Sequence, residues 1–550
     1  MSEPAATNPA MLVDLPDDCI LVFLQWLTIV DILCLRMTCK RMEYATRLRS
    51  VWHVIYRRFS RLIPMLPLPY PYTTEALDAV PAHVLEHISI FGYRLHLRFT
   101  QPIPSPWSVA LLNRGIEEPS DDVHLLPGGR WLVEVFTEDW RVSIWDLSGY
   151  EMRRVLQTTL TNEAVTHLPT SGAVIMGRHL HVLLRAGRFD PSTLSLKTTG
   201  YVLSVELPVE SSQKPPLSFV HTTRNLPRLT ERTYAGRSRI DVNGPLMSCS
   251  GLEEGELSVI DWTYHGEENG HTTTEREVKG LVIYSSLLDD LLPNQPSWTR
   301  VLHTKHHNYL LYVNSDGSVL LFLVPPLAVT DETKIPRVQA APIARLSVPS
   351  VPVESVSPWS TDIHTGDSDV SVYTLSLSTP MSAYTITFVP SRTSCTSNDN
   401  YNDSSVLCPS TLTLVRMHLP ITLDKRVSLC TLGPSGTRGI YVELSRYMGT
   451  YSELVLLAGP LPRFSWFLDS RSTTYLGDVA ELEQEESTEL PNPTPTRRVV
   501  FPGVSTQLKR VINGIAFDEC SGRVCFKRTD GHINVMDFSA MKIQESIGPF

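Results

Sequence analysis

Long apolar runs are missing from this chain. No segment approaches the roughly 20 apolar residues of a membrane-spanning helix. The opening MSEPAATNPA has neither the charged start nor the apolar centre of a secretory leader. Cysteine is sparse and irregular: nine residues (19, 34, 39, 249, 395, 408, 430, 520 and 525), an odd number with no Cys-x-x-Cys. That argues against a disulfide framework and a zinc site, and for free thiols in a reducing cytoplasm or nucleus. In that setting the Asn402-Asp403-Ser404 sequon carries no meaning. Basic charge is also short, with 48 Lys and Arg against 58 Asp and Glu for a net −10, so the field a general nucleic-acid binder needs is absent.

Catalytic signatures are missing too. There is no Gly-x-Ser-x-Gly elbow, phosphate-binding Gly-Lys-Ser/Thr loop, His-Glu-x-x-His or dinucleotide fingerprint. His179 and His181 could share one face of a strand, and His303, His306 and His307 cluster, but no third ligand stands at a readable spacing. The pairs Asp17-Asp18, Asp121-Asp122 and Asp289-Asp290 read as helix starts or turns. The expectation is no catalytic, cofactor or metal site.

What is present falls into two textures. At 550 residues, 42% hydrophobic and 19% charged, the chain is globular and long enough for two or more domains. Residues 12–58 read as short helices with more apolar surface than so small a piece can bury. Ile20, Phe23, Leu24 and Leu27 fall at i, i+3, i+4 and i+7, a core-facing stripe, yet Leu21, Val22 and Trp26 lie off it and are apolar as well. That excess calls for a cover, from the rest of the chain or from another protein.

Residues 59–91 read as a linker: Pro-rich PMLPLPYPY (64–72), then a short helical pattern broken at Pro81. From about residue 92 to 550, runs of Val, Leu, Ile, Tyr and Phe alternate with turn residues, as in an all-β domain. One unit recurs. Asp139–Asp146 (DWRVSIWD), Glu254–Asp261 (EGELSVID), Asp316–Leu323 (DGSVLLFL) and Asp530–Asp537 (DGHINVMD) each show an acidic turn residue, Gly or Trp140, then a period-2 strand. Their starts differ by 115, 62 and 214 residues, compatible with a repeat in the fifties or low sixties. LLPGGRWLVEVF (125–136) reads as a Gly-Gly turn entering a strand, and 514–538 as three strands with turns at Ser521-Gly522 and Asp530-Gly531. Stretches 206–245 and 325–360 read as long connections, and 391–410 and 478–497 as disordered loops.

Residues 12–58 resemble an F-box. Leu15-Pro16 open the pattern before an apolar helix (Ile20, Phe23, Leu27). Asp31-Ile32 start a second helix with Leu33 and Leu35, followed by Cys39-Lys40 and Ser50-Val51-Trp52. Met42 stands where the family favours an aromatic, and Ile29 where Pro is common. The repeated unit resembles a divergent WD-repeat blade, with Trp145-Asp146 as the family's dipeptide. The fold class expected is therefore a small all-α head followed by a large all-β domain, a β-propeller of about seven blades rather than a β-sandwich assembly.

The resemblance implies a non-catalytic substrate-recognition subunit of an SCF-type ubiquitin ligase, acting in the cytoplasm, the nucleus or both. Its partners would be a Skp-family adaptor, a cullin–RING core reached through it, and an unknown protein substrate, with no nucleic acid and no membrane. Carried over by position, the adaptor contacts would be Leu15, Pro16, Ile20, Phe23, Leu27, Asp31, Ile32 and Leu35. Cys39 and Trp52 would belong to the head's own core. The alternative is a scaffold whose head packs on its own propeller; an enzymatic β domain is a third reading.

Overall fold

The structure is a computed structural model that describes residues 15–60 and, with shorter gaps, 63–99 and 106–539. Residues 1–14 and 540–550, and internally 208–219, 226–239, 265–276, 358–372, 390–410, 459–496 and 501–511, are the longest stretches outside the described residues. Both expected disordered loops fall there, apart from Arg497, which opens a strand.

The head holds α1 (Asp17–Leu24), α2 (Ile29–Arg36), α3 (Lys40–Thr46) and α4 (Arg49–Ser60). A longer helix, α5 (Ala82–Phe99), follows directly after Pro81. It crosses the boundary expected at 91/92, so helix continues where strand was anticipated. Val84, Leu85, Ile88, Phe91, Leu95 and Phe99 keep a helical period and are all buried, and this stripe prevails over the strand-like alternation of Leu95-His96-Leu97-Arg98-Phe99.

Strands begin with β1 (Ser108–Leu111). Sheet 1 is β2 (Asp122–Leu125), β3 (Trp131–Phe136), β4 (Arg141–Asp146) and β5 (Arg153–Thr159). Sheet 2 is β6 (Thr170–Met176), β7 (His179–Asp190), β8 (Ser195–Glu206) and β9 (His221–Asn225). Sheet 3 is β10 (Ile240–Asn243), β11 (Leu246–Ser250), β12 (Glu256–Asp261) and β13 (Glu277–Tyr284). Sheet 4 opens with β14 (Ser297–His303), β15 (Asn308–Asn314) and β16 (Ser318–Val324). The chain then steps back: β17 (Ala328–Asp331) and β18 (Arg337–Gln339) both pair with β13 of sheet 3, before β19 (Ala344–Ser347) completes sheet 4. Sheet 5 is β20 (Ser355–Val356), β21 (Tyr373–Ser378), β22 (Ser382–Val389) and β23 (Thr411–His418). Sheet 6 is β24 (Lys425–Leu432), β25 (Arg438–Ser445), β26 (Ser452–Ala458) and β27 (Arg497–Val500). Sheet 7 is β28 (Ile512–Asp518), β29 (Arg523–Arg528) and β30 (Ile533–Asp537), with β1 as its fourth strand.

Among the described residues these make seven sheets, each built on an antiparallel meander; β18 joins sheet 3 in parallel, and β1 joins sheet 7 from the far end of the chain. First strands of successive sheets touch (β2 with β6, β6 with β10, β10 with β14, β24 with β28, and β28 with β2), while sheets 4 and 5 share one apolar cluster and β21 meets β24. The circuit closes, which makes the β domain a propeller and disfavours stacked sandwiches. Closure is carried by β1, which pairs with β30 from the far end of the chain, Val109 opposite Met536.

The recurring unit is the turn into the third strand of sheets 1, 3, 4 and 7. Its second position needs a left-handed backbone: Gly317 has φ 89°, Gly531 84°, and Trp140 adopts 53°. For a non-glycine residue that costs about 1–2 kcal/mol. Trp140 offsets it by burying its ring edge-on against Tyr201, 5.4 Å between centroids. The closing Asp also has a physical role. Asp146, Asp261 and Asp537 accept from the backbone N–H two residues on (Ser148 2.9 Å, Thr263 3.1 Å, Ser539 2.7 Å) and pair with Arg130, Lys279 and Arg523. The 214 residues between the last two units span three sheets, a longer step than the repeat expected. Stretches 206–245 and 325–360 are not bare connections: the first contains β9 and β10, the second β17 to β20.

Candidate docking face on the helical head

Each head helix starts for a local reason. Pro16 sits at the N-cap of α1, and Asp17 and Asp18 fill the first turn, where carboxylates favour the helix dipole. Thr28 and Asp31 form a capping box on α2: the Asp31 N–H donates to Thr28 Oγ1 at 3.2 Å and the Thr28 N–H to Asp31 Oδ2 at 3.2 Å. The core gathers Ile20, Leu24, Ile29, Ile32, Met42, Ala45, Val51, Trp52 and Ile55. Trp52 is fully buried and donates from Nε1 to the Thr46 carbonyl at 2.8 Å. Cys39 is the N-cap residue of α3 and packs against this core.

The basic residues of this stretch act as staples. Arg58 donates to the carbonyls of Gln25 and Leu27, both at 2.7 Å, satisfying the end of α1. Arg41 holds the Leu15 carbonyl at 2.6 Å and Asp17 at 2.7 Å, fixing the Leu-Pro entry to α3. Arg36 donates to the Thr46 carbonyl at 3.1 Å and pairs with Glu86 of α5. Arg49 donates to the carbonyls of Leu77 and Val80, both at 2.9 Å.

With that core complete, apolar side chains still stand in solvent. On α1 and just beyond it, Cys19, Val22, Phe23 and Trp26 are exposed and follow i, i+3, i+4, i+7; Trp26 is 81% exposed. On α2 and just beyond it, Val30, Cys34 and Met37 repeat the pattern, Met37 at 80%. The eight carried-over contacts divide against this face. Pro16 and Phe23 are exposed, and Leu15, Leu27 and Leu35 are half-buried against the core. Ile20 and Ile32 are 1% and 0% exposed and belong to the head's core. Asp31 is exposed but engaged in the α2 capping box. Val22, Trp26, Val30 and Met37 share the exposed face but are not among those eight; the off-stripe apolar Val22 and Trp26 were its signal in the sequence.

The head is also seated on the ring, at the end that carries the turns between first and second strands of sheets 6, 7 and 1. Gly92 of α5 lies under Met65, where a Cβ would come within 2.6 Å of Sδ. Leu95 covers Gly522, Pro67 lies beside Gly128, and Phe99 stacks on Phe538 with centroids 5.2 Å apart. Arg438 is buried beneath Phe99, 4.5 Å from the ring centroid, and donates to the Glu519 carbonyl at 3.4 Å. Burial, with Arg438 adding to it, lowers the His96 pKa to about 4; burial, with Arg94, lowers that of His87 to about 4. On the ring side, burial raises Asp518 to about 6. The described residues of the linker, Ile63, Met65 and Leu66 among them, are thus packed.

Other flagged residues have structural partners. His179 and His181 lie on β7 with rings 5.9 Å apart; His181 bonds Ser204 at 2.8 Å and meets Trp262 edge-on. His303 bonds Asn308 at 2.8 Å, and His306 lies outside the described residues. Asp122 opens β2 rather than a turn and accepts from Ser171 at 2.6 Å, with His124 at 3.2 Å. Among the described residues no group of His, Cys, Asp and Glu is arranged to hold a metal, and no helix is long and apolar enough to cross a membrane.

Residues 12–54 match the model of the F-box domain. No curated protein matches the chain. Among solved structures, the β-propeller domain of Myceliophteria thermophila Cps50 (Swd1) is similar, with 13% identity and a TM-score of 0.39, covering 78% of this chain and 99% of that one. The WD40 domain of SCAP from fission yeast aligns at 8% identity and a TM-score of 0.36, covering 78% and 83%.

Proposed function

We propose that this chain, an F-box domain seated on a β-propeller, is the substrate-recognition subunit of an SCF-type ubiquitin ligase. The observation that carries this reading is the exposed apolar face of α1 and α2, left over after the F-box core is filled. An apolar face this dense on a soluble head marks a protein-interaction site. A Skp-family adaptor is the partner that the F-box implies, and a cullin–RING core is reached through it. The propeller then presents a captured protein from surfaces away from the head, including the end that carries the turns into the third strands. The chain performs no covalent step; it supplies proximity and orientation to the ubiquitin-charged enzyme. Its setting is the reducing cytoplasm or nucleus.

The test is co-purification of the full chain with a Skp-family adaptor and cullin. Replacing Val22 and Trp26 by Glu abolishes recovery of both, while the variant keeps the unfolding midpoint of the parent. Unchanged recovery with this double variant would sink the reading. A second reading, a scaffold whose head serves only its own ring, draws on the α5 seam with sheets 6 and 7. The same experiment separates the two, since a scaffold recovers neither adaptor nor cullin.

A further inference from the structure

Cysteine without a disulfide is among the residue types most often buried, where it packs as a small hydrophobe. The ring follows that rule. Cys249 and Cys525 are buried, and burial pushes the Cys525 thiol up to about 12, which keeps it inert. Cys520 is half-buried, as is Cys39 at the N-cap of α3. The head departs from the rule. Cys19 and Cys34 stand in solvent, the only two exposed cysteines among the described residues, and both lie on the apolar face of α1 and α2. Cys19 has Val22, Phe23 and Trp26 at i+3, i+4 and i+7, while Cys34 follows Val30 by four residues and precedes Met37 by three. Neither thiol belongs to the buried cluster that fills the head. Two reactive sulfurs are thus set among the side chains of the docking face, and the core has no use for them.

We propose that Cys19 and Cys34 are sites of reversible mixed-disulfide formation with glutathione, and that this modification closes the adaptor face. The inference rests on the docking role proposed above for α1 and α2. The oxidant is glutathione disulfide. A cysteine thiol releases its proton and the thiolate attacks one sulfur of the disulfide. The protein–glutathione S–S bond forms as the original S–S bond breaks, and the departing glutathione thiolate takes up the proton. The cysteine is oxidised, one glutathione is reduced, and excess glutathione thiol reverses the exchange. The adduct is bulky and carries two carboxylates and an ammonium group. Set among Val22, Trp26, Val30 and Met37, it holds a partner off the face, and closing over it would bury charge without a counter-ion. In a reducing compartment the thiols stay free and the face is open; an oxidising shift closes it without touching the core. A docked adaptor, in turn, shields both sulfurs.

The experiment incubates the full chain with glutathione disulfide, locates adducts by peptide mass spectrometry, and then offers a Skp-family adaptor. Adducts are expected at Cys19 and Cys34 and not at Cys249 or Cys525. Adaptor recovery should fall about tenfold or more and return when dithiothreitol removes the adducts. A Cys19→Ser, Cys34→Ser variant is compared with itself: treatment should not change the recovery it gives untreated. Adaptor bound beforehand should slow adduct formation at both positions. The thermal unfolding midpoint should be the same with and without the adducts. Absence of adducts at both cysteines overturns the proposal, as does full recovery of adaptor by the modified parent. An equal loss in the treated Ser variant, or a midpoint lowered by the adducts, overturns it too, since another thiol or unfolding would then be the cause. If the untreated parent recovers no adaptor, the docking role itself fails and this inference with it; untreated recovery that modification leaves intact strikes this inference alone.

Discussion

The head and the ring solve the same problem in opposite ways. The ring buries Trp145, Trp262 and Trp298 almost completely, because each sheet finds a neighbour on both sides and the last is closed by β1. The head buries Trp52 just as fully but leaves Trp26 in solvent. A closed circuit of sheets packs each sheet against its neighbours and leaves apolar surface chiefly at the outer edge by β1, where Trp107 is 64% exposed; a cluster of four short helices has a whole second face left over.

Removing the head's central anchor should break that contrast most severely. Trp52→Ala leaves a cavity and takes one of the two donors from the Thr46 carbonyl, Arg36 being the other, at a cost of about 3–5 kcal/mol. The head should lose its cooperative urea transition while the ring keeps its own. Next comes the seam. Phe99→Ala uncovers the buried Arg438 cation and costs about 3 kcal/mol, read as faster proteolytic separation of head from ring. A pair of substitutions then sharpens the inside–outside distinction along α1 and the turn that follows it. Ile20→Ala should cost about 2–4 kcal/mol, whereas Trp26→Glu should stay within about 0.5 kcal/mol yet lose adaptor binding. Equal stability losses for the two would show that the exposed face is misassigned.

The two sides of the seam should also answer pH in opposite senses. With the folded pKa of His96 near 4, against an ordinary 6.5, the unfolded chain takes up a proton that the folded one refuses. Stability is therefore lost as pH falls from 6.5 towards 4. Asp518, raised from 3.8 to about 6, does the reverse: the folded chain holds its proton longer, and that contribution is lost as pH rises through 6. Unfolding midpoints across this range should show His96→Gln reducing the acid-side loss and Asp518→Asn flattening the rise-side loss. Smallest of all, deleting residues 391–405 should leave adaptor recovery unchanged in the same co-purification.

The two-part architecture was legible because its signals are local. The Leu15-Pro16 to Trp52 series and the Asp-Gly turns each lie within a few residues. The docking face was harder to read. On α1 and just beyond it the buried Ile20 and Leu24 and the exposed Val22, Phe23 and Trp26 are all apolar, so periodicity alone could not say which stripe faces in. Residues 95–99 alternate like a strand and concealed the end of α5. β17 and β18 were hidden in a Pro-rich stretch because their pairing with β13 is decided by tertiary contact. β1 is four residues long, and its partner lies more than 400 residues away.

That last pairing has a consequence for synthesis. β1 is made more than 400 residues before its partner β30, so the ring must stay unlatched while everything between them is synthesised. The head precedes β1 in the chain and can fold while the ring behind it is still open. Under the function proposed above, a growing chain is committed to its assembly before it is able to hold a target.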